Sequence, residues 1–377
     1  MKGFFSHLLN IDWFLFSSSF AIAVMGLITM NSFVGESYFF EKQIFWLVLS
    51  VCVFYALSFI DFRFLRRTEV VVPVYLSIIT ILILVLFLGA TVKGAQSWFD
   101  FGNFSFQPSD PAKLALILIL SKYFSRRHVE IAHIRHILVS GFYALVLFLL
   151  VFFQPDFGSS IIIFFLWLGM VLVSGISKQH LLIVLLLGLT VFSILWFYVF
   201  ENYQKQRILT FIHPLTDIQG AGYNAYQSTI AVGSGELWGK GIGYGTQSKL
   251  QFLPEYETDF IFAAFAEEWG FIGTLLLFSL YALLFGRIIV NAVHGATNFE
   301  TLFGFGVAIL FMSHFIIHIG MNIGLLPVTG VTVPFMSYGG SHLLTEYASL
   351  GILMGMRRYR STIHKEAMQN ELLGVGG

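Results

Sequence analysis

An aspartate at the edge of an apolar run is the residue in this sequence best placed to do chemistry. Asp259 stands where a long polar stretch, residues 201–258, meets an apolar segment, and Glu255 precedes it by four positions. A carboxylate in such a place acts as a general base when an acceptor hydroxyl comes within hydrogen-bond reach. If a helix begins as early as Glu255, the two carboxylates share one face of it.

A glycine-rich segment in the same polar stretch offers groups for binding an anion. Residues 233–245 contain six glycines around Lys240. Closely spaced glycines let backbone amides approach an anion, and Lys240 and Arg207 add positive charge. The spacing is not that of a P-loop, because Gly241 follows Lys240 where Ser or Thr would stand. Together these residues favour chemistry on a phosphorylated lipid, and the alternative is a flexible hairpin with solvated charges.

A lysine and an aspartate also occur at the start of a later apolar run. Asp110 and Lys113 are three positions apart, so they share a helix face, and Ser109 suits the cap of that helix. One interpretation is a capped helix with an internal ion pair. The other is a lysine that faces a polar cavity and contacts a phosphate.

Two further polar pairs lie inside apolar runs. Glu267 and Glu268 follow Asp259 by about 12–14 Å along a helix, a depth at which a charge needs a polar cavity or a buried partner. Lys113 is a candidate partner for one of them, and the alternative is that one stays protonated. His314 and His318 have the spacing of metal ligands, but without a third ligand we interpret them as hydrogen-bonded packing residues.

The composition defines the class of protein that must position these residues. Apolar residues make up 57% of the 377, charged residues 11%, and the mean hydropathy is +0.80. A soluble chain cannot bury that much apolar surface, so we predict a polytopic, all-α integral membrane protein. The one cysteine, Cys52, excludes an intramolecular disulfide.

The apolar runs predict about ten transmembrane helices. They cover residues 13–31, 43–60, 72–90, 109–125, 136–153, 158–175, 180–200, 259–286, 302–325 and 337–356. Lysine and arginine are concentrated on the side of the N-terminus, which predicts that both termini are cytoplasmic. We therefore expect one membrane domain, 1–377, with a large extracytoplasmic loop, 201–258, between helices 7 and 8, and a cytoplasmic tail, 361–377.

The last outer segment, residues 325–341, contains two prolines and three glycines. These residues predict a non-helical path until about Ser337. We expect the segment to dip back and line the outer cavity, because irregular backbone at membrane depth is tolerated only where it is buried in protein or faces water.

Several motifs resemble one family along nearly the whole chain. They are the loop 93–113, the turn Gln154–Gly158, the stretch 222–241, the acidic segment 252–268 and the segment 324–341. In this order they resemble the SEDS (shape, elongation, division and sporulation) family of the bacterial cell wall. Residues 245–255 and 325–330 look more like its elongation branch than its division branch.

The resemblance implies a peptidoglycan glycosyltransferase in the bacterial cytoplasmic membrane. It would join lipid II units through β-1,4 bonds and release undecaprenyl pyrophosphate, with Asp259 as catalytic base. The implied substrate contacts are Lys113, Arg207, Lys240, Glu255, Lys93, Trp98 and Asp110. A divalent metal, Mg²⁺ or Mn²⁺, would fit a pyrophosphate leaving group, with no ligand set assigned. The implied partners are a class B penicillin-binding protein, other elongation-complex proteins and membrane lipid, and no nucleic acid.

This sequence departs from the family pattern at a few positions. Ser97 precedes Trp98 where the family usually has arginine, and Asp110 replaces the usual glutamate. His318 and His342 stand where other polar residues are expected. The change at position 97 removes one expected lipid-phosphate contact, which Lys93 would have to replace.

Three other functions remain open at the level of sequence. A lipid II transporter would use the intramembrane Lys113, Glu267 and Glu268, although no broken-helix repeat accompanies them. A non-catalytic scaffold would position other wall enzymes. A division paralogue within the same family would perform the same reaction at a different place in the cell.

Overall fold

The computed structural model describes residues 11–32, 37–92, 95–102, 104–125, 134–201, 205, 209–211, 222–250 and 252–372. A helix covers each of the ten predicted spans, which confirms the all-α polytopic class. The helices are α1 Trp13–Asn31, α2 Ser37–Ser58, α3 Thr68–Leu88, α4 Ser109–Ser125, α5 Ile134–Phe152, α6 Phe157–Val173, α7 Lys178–Ile194, α8 Tyr223–Ser234, α9 Thr246–Lys249, α10 Ile261–Val293, α11 Asn298–Asn322 and α12 Gly340–Leu372.

Seven helices in the described part of the chain are long and apolar enough to cross a membrane, and α6 is a shorter apolar helix. The short α8 and α9 lie in the predicted outer loop, so that loop is partly helical. A 3-10 turn, Phe62–Arg66, precedes α3, and a π turn, Leu195–Val199, follows α7. The helix α12 continues to Leu372 and so extends into the predicted tail. The number of membrane crossings, the orientation and the single-domain boundary stay predictions.

Side-chain caps fix where several helices begin. Oδ1 of Asp12 accepts the Leu15 amide at 3.2 Å and caps α1. Asp156 caps α6 in the same way, through the amide of Ser159 at 2.9 Å. Each cap satisfies a backbone donor that the first helical turn leaves without an intrahelical partner.

The loop between α3 and α4 contains a small β-sheet. This sheet was not predicted from the sequence. Its strands are β1 Ala90–Val92, β2 Ala95–Asp100 and β3 Ser105–Phe106, antiparallel in the order β1-β2-β3. Ser97 is buried in β2, whereas its neighbour Trp98 is half-buried. Ser97, which stands where the family usually has arginine, thus lies within a hydrogen-bonded strand.

A glycine breaks α10 near its N-terminal end. Gly270 has φ +66° and ψ −167°, a conformation open essentially only to glycine, so residues 261–269 and 271–293 are two helical pieces. The glycine-rich loop packs against this break: the amides of Phe271 and Ile272 donate to the carbonyls of Glu236 and Leu237 at 2.9 and 3.2 Å. A side chain at Gly270 would meet the loop backbone at 2.2 Å, so this approach requires glycine.

At the opposite end of the bundle, a buried carboxylate joins three helices. Asp12 before α1 accepts hydrogen bonds from Arg287 at 2.9 Å and Asn291 at 2.9 Å, both in α10, and pairs with Arg357 of α12 at 2.9 Å. Because Asp12 is 2% exposed, its charge depends on these partners.

Candidate functional site

Asp259 lies in a tight turn immediately before α10. Glu255 has φ +52°, and its carbonyl accepts the amides of Thr258, Asp259 and Phe260 at 3.0–3.2 Å. The helix begins only at Ile261, so the condition for a shared helix face of Glu255 and Asp259, a helix that starts at Glu255, is not met. The turn leaves Asp259 partly buried immediately before the helix.

An asparagine at the end of α11 holds the backbone of this turn. Nδ2 of Asn322 donates to the Asp259 carbonyl at 3.0 Å, and its Oδ1 accepts the Ala263 amide at 3.2 Å. Asn322 is fully buried. Asn322 was not among the predicted site residues, although a polar residue four positions after His318 at the end of an apolar run was the available signal.

The segment 325–339 lies over the turn, and it is non-helical up to Gly340, as predicted. Oγ of Ser337 donates to the Thr258 carbonyl at 2.8 Å, and the Tyr338 amide donates to the Glu257 carbonyl at 2.9 Å. Gly330, at φ +72°, faces the carboxylate: a Cβ placed there would lie 3.5 Å from Oδ2 of Asp259. The glycine therefore leaves space beside the carboxylate.

Lys113 forms the internal ion pair rather than the expected partnership with Glu267 or Glu268. Its Nζ lies 3.1 Å from Oδ1 of Asp110, and both side chains are 4% exposed. Nζ also lies 3.4 Å from Nε2 of His314. The predicted pairing with Glu267 or Glu268 is wrong, because those residues have other partners near the break in α10.

The two histidines of α11 hold the segment 325–339 from below. Nδ1 of His314 lies 3.1 Å from the Thr332 carbonyl, and Nδ1 of His318 lies 2.7 Å from the Val331 carbonyl. This agrees with their interpretation as packing residues. A metal does not fit this pair, because the ammonium of Lys113 already approaches the free nitrogen of His314. Among the described residues, no group of three or more His, Cys, Asp or Glu side chains forms a metal site.

Lys240 binds the carboxylate of Glu267. Its Nζ lies 2.7 Å from Oε1 of Glu267 and 2.8 Å from Oγ1 of Thr246. The amides of Thr246 and Gln247 donate to the same carboxylate at 2.8 and 3.1 Å. Glu267 is thus the centre around which the glycine-rich loop folds.

Glu268 lies against the C-terminal end of α1. Its Oε1 accepts from Oγ of Ser32 at 2.6 Å and from the Gly243 amide at 3.0 Å. Ser32 directly follows the last residue of α1, Asn31. Glu267 and Glu268 thus have polar partners, as a carboxylate inside an apolar run requires, and these come from the glycine-rich loop and from Ser32.

The other residues predicted to contact the substrate lie in several different parts of the chain. Arg207 and Lys93 lie outside the described residues. Trp98 lies in β2, whereas Asp110 and Lys113 lie in α4, where Lys113 contacts His314 below the segment 325–339. Their contacts to substrate, and that of Glu255, stay predictions, as does the divalent metal.

Fold and site together define a multi-pass membrane protein with a carboxylate-bearing turn under an irregular outer segment. The model of the family described as "Cell cycle protein" (FTSW_RODA_SPOVE) matches residues 6–362. The chain belongs to this family, which confirms the SEDS resemblance.

Individual relatives agree with this assignment. Peptidoglycan glycosyltransferase MrdB of Escherichia coli K12 is 40% identical over 296 residues, 77% of this chain and 79% of the relative. A chain of the solved structure described as "Structural coordination of polymerization and crosslinking by a peptidoglycan synthase complex" has a TM-score of 0.80 at 30% identity and covers 93% of this chain and 98% of its own length. The rod shape determining protein RodA of Thermus thermophilus has a TM-score of 0.70 at 29% identity, over 93% of this chain and 97% of its own.

Proposed function

We propose that this protein is a peptidoglycan glycosyltransferase that joins lipid II units into β-1,4 glycan strands at the outer face of the bacterial cytoplasmic membrane. Family membership and the peptidoglycan glycosyltransferase of E. coli support the reaction. The similarity to MrdB and to a rod shape determining protein favours a role in elongation over one in division. Neither a transporter nor a scaffold accounts for these relatives as directly.

The position of Asp259 is the observation that supports this function best. Its backbone is fixed on both sides, by the Glu255 carbonyl and by Asn322, and Gly330 leaves space beside its carboxylate. A fixed carboxylate with space beside it suits a general base that takes a proton from the acceptor hydroxyl. An inverting displacement at the anomeric carbon needs one such base, and the departing pyrophosphate needs positive charge rather than a second acid.

Positive charge near the leaving group would come from the outer loop. Lys240 is 28% exposed, so part of its side chain reaches solvent although Glu267 holds its ammonium. Arg207 is the other candidate. Lys113 is neutralised by Asp110 and buried, and its expected contact with pyrophosphate would require that pair to separate.

A class B penicillin-binding protein is the partner that we propose. One solved chain that resembles this protein, with a TM-score of 0.80, comes from a peptidoglycan synthase complex whose description names the coordination of polymerisation and crosslinking.

Polymerisation of lipid II by the purified protein with this partner tests the proposal. Wild type is compared with Asp259→Asn, which keeps the side-chain shape and removes the base. Glu236→Gln is the matched control, because Glu236 is an exposed carboxylate in the same outer loop. We expect glycan strands from wild type and Glu236→Gln, and none from Asp259→Asn.

The other outcomes identify what is wrong. Equal polymerisation by wild type and Asp259→Asn would move the base elsewhere, with Glu255 as the next candidate. If wild type makes no glycan but moves labelled lipid II across vesicle membranes, the protein is a transporter. If it does neither and still binds the partner tightly, it is a scaffold.

A further inference from the structure

Two carboxylates on different helices share one imidazole inside the bundle. Nδ1 of His342 lies 3.2 Å from Oδ1 of Asp110, and its Nε2 lies 2.9 Å from Oε1 of Glu346. Asp110 and Glu346 are 4% and 3% exposed, and His342 is 12% exposed. An imidazole interacts favourably with carboxylates at both ring nitrogens only when both carry a proton. The placement of a carboxylate oxygen at each ring nitrogen therefore favours the imidazolium form of His342.

The charges of this buried cluster balance only with that imidazolium. Lys113 is the other cation, 3.1 Å from Asp110. His314 is neutral: its Nδ1 faces the Thr332 carbonyl at 3.1 Å and must donate, so its Nε2 accepts from Lys113 at 3.4 Å. Two carboxylates are thus matched by one ammonium and one imidazolium. Loss of the His342 charge would leave an unmatched anion in a poorly solvated interior, where it is costly.

Glu346 connects this cluster to the segment over Asp259. Its Oε2 accepts the Phe335 amide at 2.8 Å. Phe335 has φ +65°, a left-handed conformation that residues other than glycine adopt only when their surroundings hold them there. The same segment contacts the turn of Asp259 through Ser337 and Gly330. The Phe335 conformation therefore sets the path of the backbone over the carboxylate.

We propose that His342 is a positioning residue for the polymerisation reaction: it holds the Glu346 carboxylate against the Phe335 amide and so fixes residues 325–339 over Asp259. The proposal rests on the proposed function in assigning Asp259 the role of base. His342 itself acts through Glu346 and the backbone, and it touches no substrate in this role.

Hydrogen exchange and steady-state kinetics of His342→Gln test it. Glutamine cannot carry the charge, so Glu346 loses its counter-ion and its hold on the Phe335 amide weakens. We expect exchange in peptides covering residues 325–339 to become faster on the order of tenfold, since local opening governs it. We expect kcat to fall on the order of 100-fold, the cost of misplacing a reacting group by about 1 Å, with KM for lipid II unchanged.

A charge-balanced double variant separates positioning from simple packing. In His342→Gln/Glu346→Gln the cluster is neutral again, because Asp110 and Lys113 remain as a pair, and the amide oxygen at position 346 can accept from Phe335. We expect exchange and kcat to recover to within roughly threefold of wild type. If the single variant fails to fold, recovery of folding in the double variant is the expected rescue.

A matched control is His136→Gln. His136 is a buried histidine of α5 that bonds to Tyr123 at 2.9 Å, far along the chain from the outer segment. We expect the His136→Gln variant to show the same rate of hydrogen exchange in residues 325–339 as wild type, and the same kcat.

Two results would overturn the proposal: wild-type exchange and kcat in His342→Gln, or a double variant no better than the single one. A wild-type protein that makes no glycan would refute the proposed function instead. In that case the exchange data alone still decide whether His342 positions the segment.

Discussion

Removing the ammonium of Lys240 tests how the glycine-rich loop is held to α10. Glu267 is fully buried, and in Lys240→Met its carboxylate keeps its backbone amide donors but loses its counter-charge. Removing one partner of a buried ion pair costs about 3–5 kcal/mol. Lys240 is 28% exposed and the amides remain, so we expect about 2 kcal/mol, confined to the opening of the loop.

Limited trypsin digestion measures this opening. Cleavage after Lys249 requires α9 to unfold, because the Lys249 amide is bonded to the Gly245 carbonyl at 3.1 Å. When reclosing is fast, the cleavage rate follows the population of the open form. A cost of about 2 kcal/mol raises that population about 30-fold. The matched control Lys42→Met, whose lysine lies over the Tyr38 ring, should leave the rate unchanged.

A double-mutant cycle with Glu267→Gln attributes the effect to the pair. Glutamine still accepts from the amides, so we expect the single change to cost about 1 kcal/mol. In Lys240→Met/Glu267→Gln no charge is left without a partner. The free-energy cost of the double change should therefore be about 1–2 kcal/mol smaller than the summed costs of the two single changes. Two results would refute the reasoning. One is that the free-energy costs of the two single changes add to within about 0.5 kcal/mol in the double variant. The other is that Lys240→Met raises the rate of cleavage after Lys249 less than about threefold.

Two further predictions concern the reaction site and the opposite end of the bundle. Gly330→Ala places a methyl group beside Asp259 at φ +72°, so polymerisation should fall roughly tenfold or more while the variant still folds; a wild-type rate of glycan synthesis would contradict this. Burial alone would raise the pKa of Asp12, but the hydrogen bonds from Arg287 and Asn291 outweigh it and lower the pKa. The stability due to Asp12 is thus present above its unfolded pKa of about 3.9 and is lost as the pH falls through the lower folded value. The Tm difference between wild type and Asp12→Asn should therefore shrink as the pH falls from about 5 to 3, and a constant difference would contradict the assignment.

The sequence predicts the helices well because membrane thickness sets their length and composition. Each of the ten apolar runs became a helix, and the proline- and glycine-rich segment 325–339 is non-helical as expected. Asp110 and Lys113 pair because neighbours three positions apart meet on any helix. Such features depend on local sequence alone.

The contacts around Glu267 and Glu268 depend on residues far away in the chain. Nothing near Gly270 distinguishes it from other glycines in apolar runs, and only the approach of the loop backbone makes its conformation necessary. The sequence alone places Glu267 and Glu268 inside an apolar run with Lys113 as a candidate partner, whereas their observed partners come from the glycine-rich loop and from Ser32. Similarly, the φ of +52° at Glu255 delays the start of α10, and no local signal marks it.

The break in α10 also affects how the protein responds to membranes of different thickness. An unbroken helix of 33 residues would be about 50 Å long, well beyond the hydrocarbon core of about 30 Å. Residues 271–293 alone span about 35 Å, a length that a modest tilt accommodates. Residues 261–269 are fastened to the outer loop and to α11 instead. Hydrophobic mismatch can therefore be absorbed by tilting the inner piece, while the turn that carries Asp259 keeps its place among its neighbours.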